Sequence, residues 1–202
     1  MDQLALFADL PAAPARLPPG LRYEPGLLDA AEASRLVTLL QHLPLAPARY
    51  KGHVARRRVL SYGHGFDFDT LRLQPAPGLI PALQPVRDRA AAWAGIPPRD
   101  LAHALLAAYP PGAPLGWHRD VPDFEDVIGL SLGAAAEMRW RPWPPGSGGR
   151  ADTLRLTLAP GSVYLMQGEA RWGWQHSLPP VPDWRWSITF RTLRRGTRYA
   201  GG

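Results

Sequence analysis

Five residues in this chain have the types, order and spacing of an oxidative metal site: His118, Asp120, His176, Arg185 and Arg191. Two imidazoles and one carboxylate occupy one face of an Fe(II) ion and leave the other face open for substrate and O2. Residues two apart on a strand point to the same side, so a strand through Trp117-His118-Arg119-Asp120 brings both of its ligands to one ion. His176 lies far enough downstream to come from a different strand and close the set across a barrel. In the run Arg185-Trp186-Ser187-Ile188-Thr189-Phe190-Arg191, period-2 alternation puts Arg185, Ser187, Thr189 and Arg191 on one face. Trp186, Ile188 and Phe190 fall on the other. A guanidinium fork beside a hydroxyl, facing into a barrel, suits the distal carboxylate of a dicarboxylate cosubstrate. Alone, a His-x-Asp is usually a surface pair and an Arg-x-Ser a solvated edge; the ordered combination carries the reading.

The elements that must position these residues are legible in the pattern. Asp29 followed by Glu32 reads as a capping box, opening a helix through Leu43 with Leu36, Leu39, Leu40 and Leu43 on its buried side. A second helix is expected from about Pro85 to Gly95. Residues 47–74 mix arginine, glycine, aromatics and aspartate and read as irregular hairpins. From His103 the pattern is strands, expected at 103–109, 126–133, 136–141, 153–158, 162–166, 171–176 and 185–193. Pro142 to Arg150 reads as a hairpin loop. Helices first and antiparallel strands after them predict an α+β chain, mainly β, with a double-stranded β-helix (jelly-roll) core braced by two helices.

Composition bounds the function. At 202 residues with 46% hydrophobic content the chain supports one domain, expected over 21–202 behind a proline-rich extended arm at 1–20. No cysteine is present, which excludes disulfides and thiolate metal sites and fits a reducing compartment. No apolar run reaches membrane-spanning length and no leader pattern is visible, so a monomeric cytoplasmic protein without membrane contact is expected. A net charge of +6 permits a polyanionic partner, although Lys51 is the single lysine and arginine supplies the rest.

From about Leu101 to Arg194 the chain resembles the AlkB-like Fe(II)/2-oxoglutarate dioxygenases. The resemblance rests on Ala107-Ala108-Tyr109-Pro110-Pro111-Gly112, His118-Arg119-Asp120, Ile128-Gly129-Leu130-Ser131-Leu132-Gly133, Gly161 to Met166, Trp174-Gln175-His176-Ser177 and the Arg185 to Arg191 run. It implies Fe(II) on His118, Asp120 and His176, with 2-oxoglutarate and O2 as cosubstrates. Arg185, helped by Ser187 and Tyr109, would take the far carboxylate, and Arg191 would steady the near carboxylate or Asp120. The sequence departs from the family at Ser187, where Asn is usual, and at Ala107, where DNA-repair members carry Asn. Val121 and Pro122 follow Asp120 where repair members often have an acid.

The resemblance also implies a lid over the substrate at about 47–74, ahead of a barrel at about 101–194. There Arg56, Arg57, Arg58 and Tyr62, near His64, offer phosphate contacts and a stacking ring, against the alternative of a solvated hairpin whose Tyr packs on the barrel. Trp174 and Trp172 share parity with His176 and so are expected on the cavity side, Trp174 as a substrate contact and Trp172 as core. His42, His53 and His103 lack a ligand-spaced partner and read as ordinary polar positions. At the N-terminus, Gln3-Leu4-Ala5-Leu6-Phe7 matches a pentapeptide by which bacterial replication and repair proteins dock on the sliding clamp; Gln3, Leu4, Leu6 and Phe7 would bind there, or fold back on the domain.

Three functions follow. Oxidative demethylation of N-alkylated bases in DNA or RNA, releasing formaldehyde and succinate, is favoured by the resemblance, the charge and the arginines. Hydroxylation or demethylation of a protein or small molecule is the alternative that Ala107, Ser187 and the missing acid favour. An inactive nucleic-acid or clamp-binding module is the third, disfavoured by the complete metal and cosubstrate set.

Overall fold

In the computed structural model the chain is described over residues 17–50, 52–67, 72–146 and 153–196, with Tyr50 in its backbone only. Gln3, Leu4, Leu6 and Phe7 lie outside the described residues. After strand β1 (Leu21–Glu24) comes helix α1 (Ala30–Gln41). Its start is the expected capping box: Asp29 Oδ1 accepts from the Glu32 amide at 2.7 Å, and Glu32 Oε2 accepts from the Asp29 amide at 2.9 Å. Strands β2 (Ala46–Tyr50), β3 (His53–Tyr62), β4 (His64–Asp67) and β5 (Arg72–Pro75) precede helix α2 (Gln84–Ala94). Gly95 closes α2 with φ 76°, a left-handed cap that glycine adopts without a Cβ penalty.

The remaining strands are β6 (Leu101–Tyr109), β7 (Leu115–His118), β8 (Phe124–Gly133), β9 (Ala136–Pro142), β10 (Leu154–Leu158), β11 (Val163–Met166), β12 (Trp174–Leu178) and β13 (Arg185–Leu193). They form two antiparallel sheets, a seven-stranded one in the order β1-β11-β8-β13-β6-β3-β2 and a four-stranded one in the order β10-β9-β12-β7. This is the expected jelly-roll. No helix among the described residues is long and apolar enough to cross a membrane.

Strand parity divides the large sheet into two chemistries. One face, with Leu106, Ile128, Leu130, Val163, Leu165, Ile188 and Phe190, packs on α1 through Leu40 and on α2 through Val86, with Leu83 just ahead of α2 in the same core. The other face looks into the barrel, where Tyr109, Val127, Tyr164 and Met166 meet Met138, Trp140, Leu156 and Leu178 of the small sheet. The site is built in this second space.

Four expectations need correction. Residues 47–74 are not an irregular lid throughout. Residues Arg58–Tyr62 of β3 are an integral part of the large sheet, paired with β6 from Ala108 to Ala104, while β4 and β5 form a separate hairpin. The hairpin β2–β3 runs beyond that pairing only at its outer end, where Arg49 pairs with Val54. Trp172 is not on a strand: a short helix α3 (Gly168–Trp172) occupies the start of the expected 171–176 segment. Strand β7 is missing from the strands expected along 103–193, where Pro114 and Gly116 mask its short pattern, and it stops at His118, so Asp120 does not share a strand with His118 as the His-x-Asp spacing implied. Finally, α1 ends at Gln41, short of Leu43.

Candidate metal and cosubstrate site

Strands β7 and β12 are neighbours in the small sheet, with His118 opposite His176. Asp120 follows just beyond the end of β7. Their ligand atoms all lie within 4.8 Å of one another, and the two imidazole rings are 4.2 Å apart between centres. His118 is oriented by its Nδ1–H, donated to the Gly116 carbonyl at 2.9 Å, which leaves Nε2 with the lone pair. Burial lowers the His118 and His176 pKa values, His176 to about 3. Burial alone would raise Asp120, but the Arg191 guanidinium beside it outweighs burial and holds the carboxyl well below the usual range. Two neutral imidazoles and one carboxylate are the protonation states a divalent cation needs.

Arg191 is fixed on both sides. Its Nη2 donates to Asp120 Oδ1 at 2.9 Å and its Nη1 to His103 Nδ1 at 3.2 Å. Of the two expected roles for Arg191, steadying Asp120 is the one the contacts carry. His103 is therefore no ordinary polar position: it is 5% exposed, stacks on Phe124 at 4.7 Å, and burial followed by the Arg191 charge holds its pKa well below 6.5. Nothing in its local sequence reveals this, because Arg191 comes from a distant strand.

Arg185 sits on the same interior face, 2% exposed, with Nε donating to Ser131 Oγ at 3.2 Å and its guanidinium 5.0 Å from the centre of the Tyr109 ring. Ser187 is buried between Ser131 on β8 and Ala107 on β6. Two buried donors of this interior have no partner among the described residues, Arg185 Nη1 and Trp140 Nε1. An unpartnered buried guanidinium N–H is costly and asks for an anion. A dicarboxylate such as 2-oxoglutarate fits that demand, and the three ligands fit Fe(II).

Two further residues escaped the sequence. Tyr164 crosses the interior over Gly129, where a Cβ would fall on its ring. Burial pushes its hydroxyl up to about 12. Arg171 on α3 is buried, with Nη2 donating to the Val121 and Phe124 carbonyls, each at 2.7 Å, so it clamps the loop that follows Asp120. The neighbouring Trp172 Nε1 donates to Glu125 Oε1 at 2.7 Å. The glycine at 129, in a strand otherwise rich in β-formers, was the available signal for Tyr164; Arg171 offered none.

The proposed substrate residues separate. Tyr62 is 6% exposed in the core under the helices, on the opposite face of the sheet from the metal ligands, so it cannot stack a base. Arg58 shares that parity and donates Nε to the Leu45 carbonyl at 2.9 Å. Arg56 donates to the Pro111 and Gly112 carbonyls at 3.1 and 3.2 Å. Arg57 has the opposite parity and acts electrostatically on His118, which leaves it as the cavity-side arginine of the three. His64 is held by the Ala102 carbonyl at 2.8 Å. Trp174 faces inward, packed on the barrel interior, with Nε1 donating to Glu169 Oε1 at 3.1 Å.

Comparison with known proteins agrees with this geometry. The model of the 2OG-Fe(II) oxygenase superfamily matches residues 20–194. An Arabidopsis thaliana protein named as an alkylated DNA repair protein ALKBH8 homolog is 29% identical over 80% of this chain and 51% of its own length. The Bos taurus DNA oxidative demethylase ALKBH2 is 32% identical over 73% of this chain and 57% of its own. The chain thus spans only about half the length of these relatives. The OsALKBH1 structure superposes with a TM-score of 0.63 at 19% identity, covering 88% of this chain and 98% of that one.

Proposed function

We infer the activity from kinship and site together: the chain belongs to the 2OG-Fe(II) oxygenase superfamily, its sequence relatives are AlkB-type proteins, and its interior holds the residues that chemistry requires. The proposed reaction is oxidative demethylation of an N-methylated base in DNA or RNA. The observation that carries the cosubstrate is the buried, unpartnered Nη1 of Arg185, on the same interior face as Arg191 and its partner Asp120.

His118, Asp120 and His176 would hold the iron, and Arg185, packed against Tyr109 and bonded to Ser131, would take the distal carboxylate of 2-oxoglutarate. Bound iron would supply the oxidative chemistry, in which O2 and 2-oxoglutarate would be consumed to give succinate and CO2, the second oxygen atom entering a substrate C–H bond. When that carbon is an N-methyl, the hydroxymethyl amine breaks its C–N bond to give formaldehyde and the free amine. Arg191 keeps Asp120 ionised and aimed, His103 keeps Arg191 in place, and Tyr164 closes the interior behind the ligands. The names of the ALKBH2 relatives, which are DNA oxidative demethylases, and the net charge of +6 support a nucleic acid as substrate.

A second reading, hydroxylation of a protein or small molecule, is favoured by the placement of Tyr62, Arg56 and Arg58 away from the metal. Formaldehyde and succinate release from N-methylated single-stranded oligonucleotides, measured over a salt series, tests the two. A nucleic-acid substrate gives formaldehyde in step with succinate and an affinity that falls steeply with salt. No formaldehyde and flat salt dependence select the second reading. Sliding-clamp docking through Gln3, Leu4, Leu6 and Phe7 remains a separate proposal, tested by binding of the full chain to a clamp before and after Phe7→Ala.

A further inference from the structure

The small sheet turns Met138, Trp140, Leu156, Trp174 and Leu178 inward. Its outward residues are of another kind. Register sets Arg139 opposite Ser177 and Arg141 opposite Gln175 on β9 and β12, while His176 faces His118 on β7. Two rows therefore cross the outer face towards the metal-bearing edge strand: Arg139, Ser177, Trp117, and Arg141, Gln175, Arg119.

Side-chain contacts follow these rows. Arg139 Nε donates to Ser177 Oγ at 3.2 Å, and Arg141 donates from Nε and Nη2 to Gln175 Oε1 at 2.9 and 2.8 Å. The guanidinium carbons of Arg141 and Arg139 lie 4.5 and 5.3 Å from the centre of the Trp117 ring. Arg119 stands 5.1 Å from the ring of Trp143, which is 41% exposed, and donates to the Trp172 carbonyl at 3.2 Å. Every one of these partners is neutral. The fourth arginine of this face, Arg155, is ion-paired with Glu137, but Arg119, Arg139 and Arg141 have no carboxylate within ion-pair distance among the described residues. Three ordered, uncompensated guanidinium groups beside exposed indole surface match a polyanion that also carries flat rings.

We propose that this outer face binds the backbone of a single-stranded nucleic acid outside the active-site cavity. Arg139, Arg141 and Arg119 take phosphates and Trp143 stacks an unpaired base, so the strand is led over β7 to the rim beside His118 and Asp120. A duplex would keep its base faces from Trp143, which is why the occupant is single-stranded. The inference rests on the nucleic-acid reading of the site.

The test is anisotropy of a fluorescein-labelled oligo-dT with the full chain between 50 and 300 mM salt. Arg119→Gln/Arg139→Gln/Arg141→Gln is expected to weaken binding at least about tenfold at low salt and to lower the salt slope by about 2, near 0.7 per lost phosphate contact. Turnover of 2-oxoglutarate without substrate and the Tm should hold. Arg155→Gln removes one charge from the same face that is already paired, and should leave affinity unchanged. An unchanged slope in the triple variant, with wild-type binding intact, overturns the surface alone, as does an equal loss in Arg155→Gln. Wild-type chain that binds no oligonucleotide overturns the nucleic-acid reading itself. Should the triple variant misfold, Trp143→Ala and Arg119→Gln, both at exposed positions, carry the test singly: each must weaken binding, and no effect from either overturns the proposal.

Discussion

The two faces of β13 are built by one strand and obey opposite rules. Trp186, Ile188 and Phe190 press into the helices in an apolar core, while Arg185, Ser187, Thr189 and Arg191, all 8% exposed or less, turn buried polarity into the barrel. The first face lowers the free energy of the folded chain through burial. The second raises it, since Arg185 keeps a donor unpartnered and Arg191 draws two other buried groups into its network. Under the proposed function, ligands complete the groups of this second face, so stability lives on one side of the sheet and function on the other.

Substitutions across the strand can break or sharpen that division. The largest effect is expected from His118→Ala or Asp120→Ala, which should abolish iron-dependent succinate formation while the chain stays folded; retained turnover would remove the metal assignment. On the helix face, Phe190→Ala should cost roughly 3–5 kcal/mol of unfolding free energy, read by denaturant titration. Five residues away and on the opposite face of the strand, Arg185→Met should go the other way. Without cosubstrate it should raise the Tm, since it removes an unsatisfied buried donor worth about 1–3 kcal/mol, and it should raise the KM for 2-oxoglutarate at least about tenfold. A lowered Tm would mean that Arg185 contributes to the fold as Phe190 does.

The smallest effect is a pH dependence. His103 has a folded pKa well below its unfolded value near 6.5, so the unfolded state binds the proton more readily. Its contribution to stability is therefore present above pH 6.5 and lost as the pH falls below it. His103→Gln should flatten part of the loss of Tm between about pH 6.5 and 5. An unaltered acid limb would show that other groups carry it.

Much of this division is readable in the sequence alone. Local rules sufficed where the signal was local: the Asp29–Glu32 box, the Gly95 cap and the alternation of Arg185 to Arg191. The ligand set was legible because its spacing is unusual. What failed was the side of the sheet on which residues 56–62 lie. A shift of one residue exchanges the faces of a strand, and a stretch with arginines at three successive positions carries no alternation to fix it. Tyr62 therefore fell under the helices and Arg57 alone on the metal side. His103 and Arg171 were invisible for another reason: their roles arise from contacts across 88 residues and about fifty residues of sequence, where composition says nothing.

Gly129 and Tyr164 impose an order on how this interior can change. With any side chain at 129 the Tyr164 ring must leave the position it holds across the interior. Growth at 129 therefore displaces the Tyr164 ring unless position 164 has already shrunk, whereas shrinking 164 first only opens a void. The two positions are coupled, so the order of change matters. A roomier interior is reached with least disturbance by starting at Tyr164, and a side chain settled at 129 then opposes the return of the tyrosine to its present place.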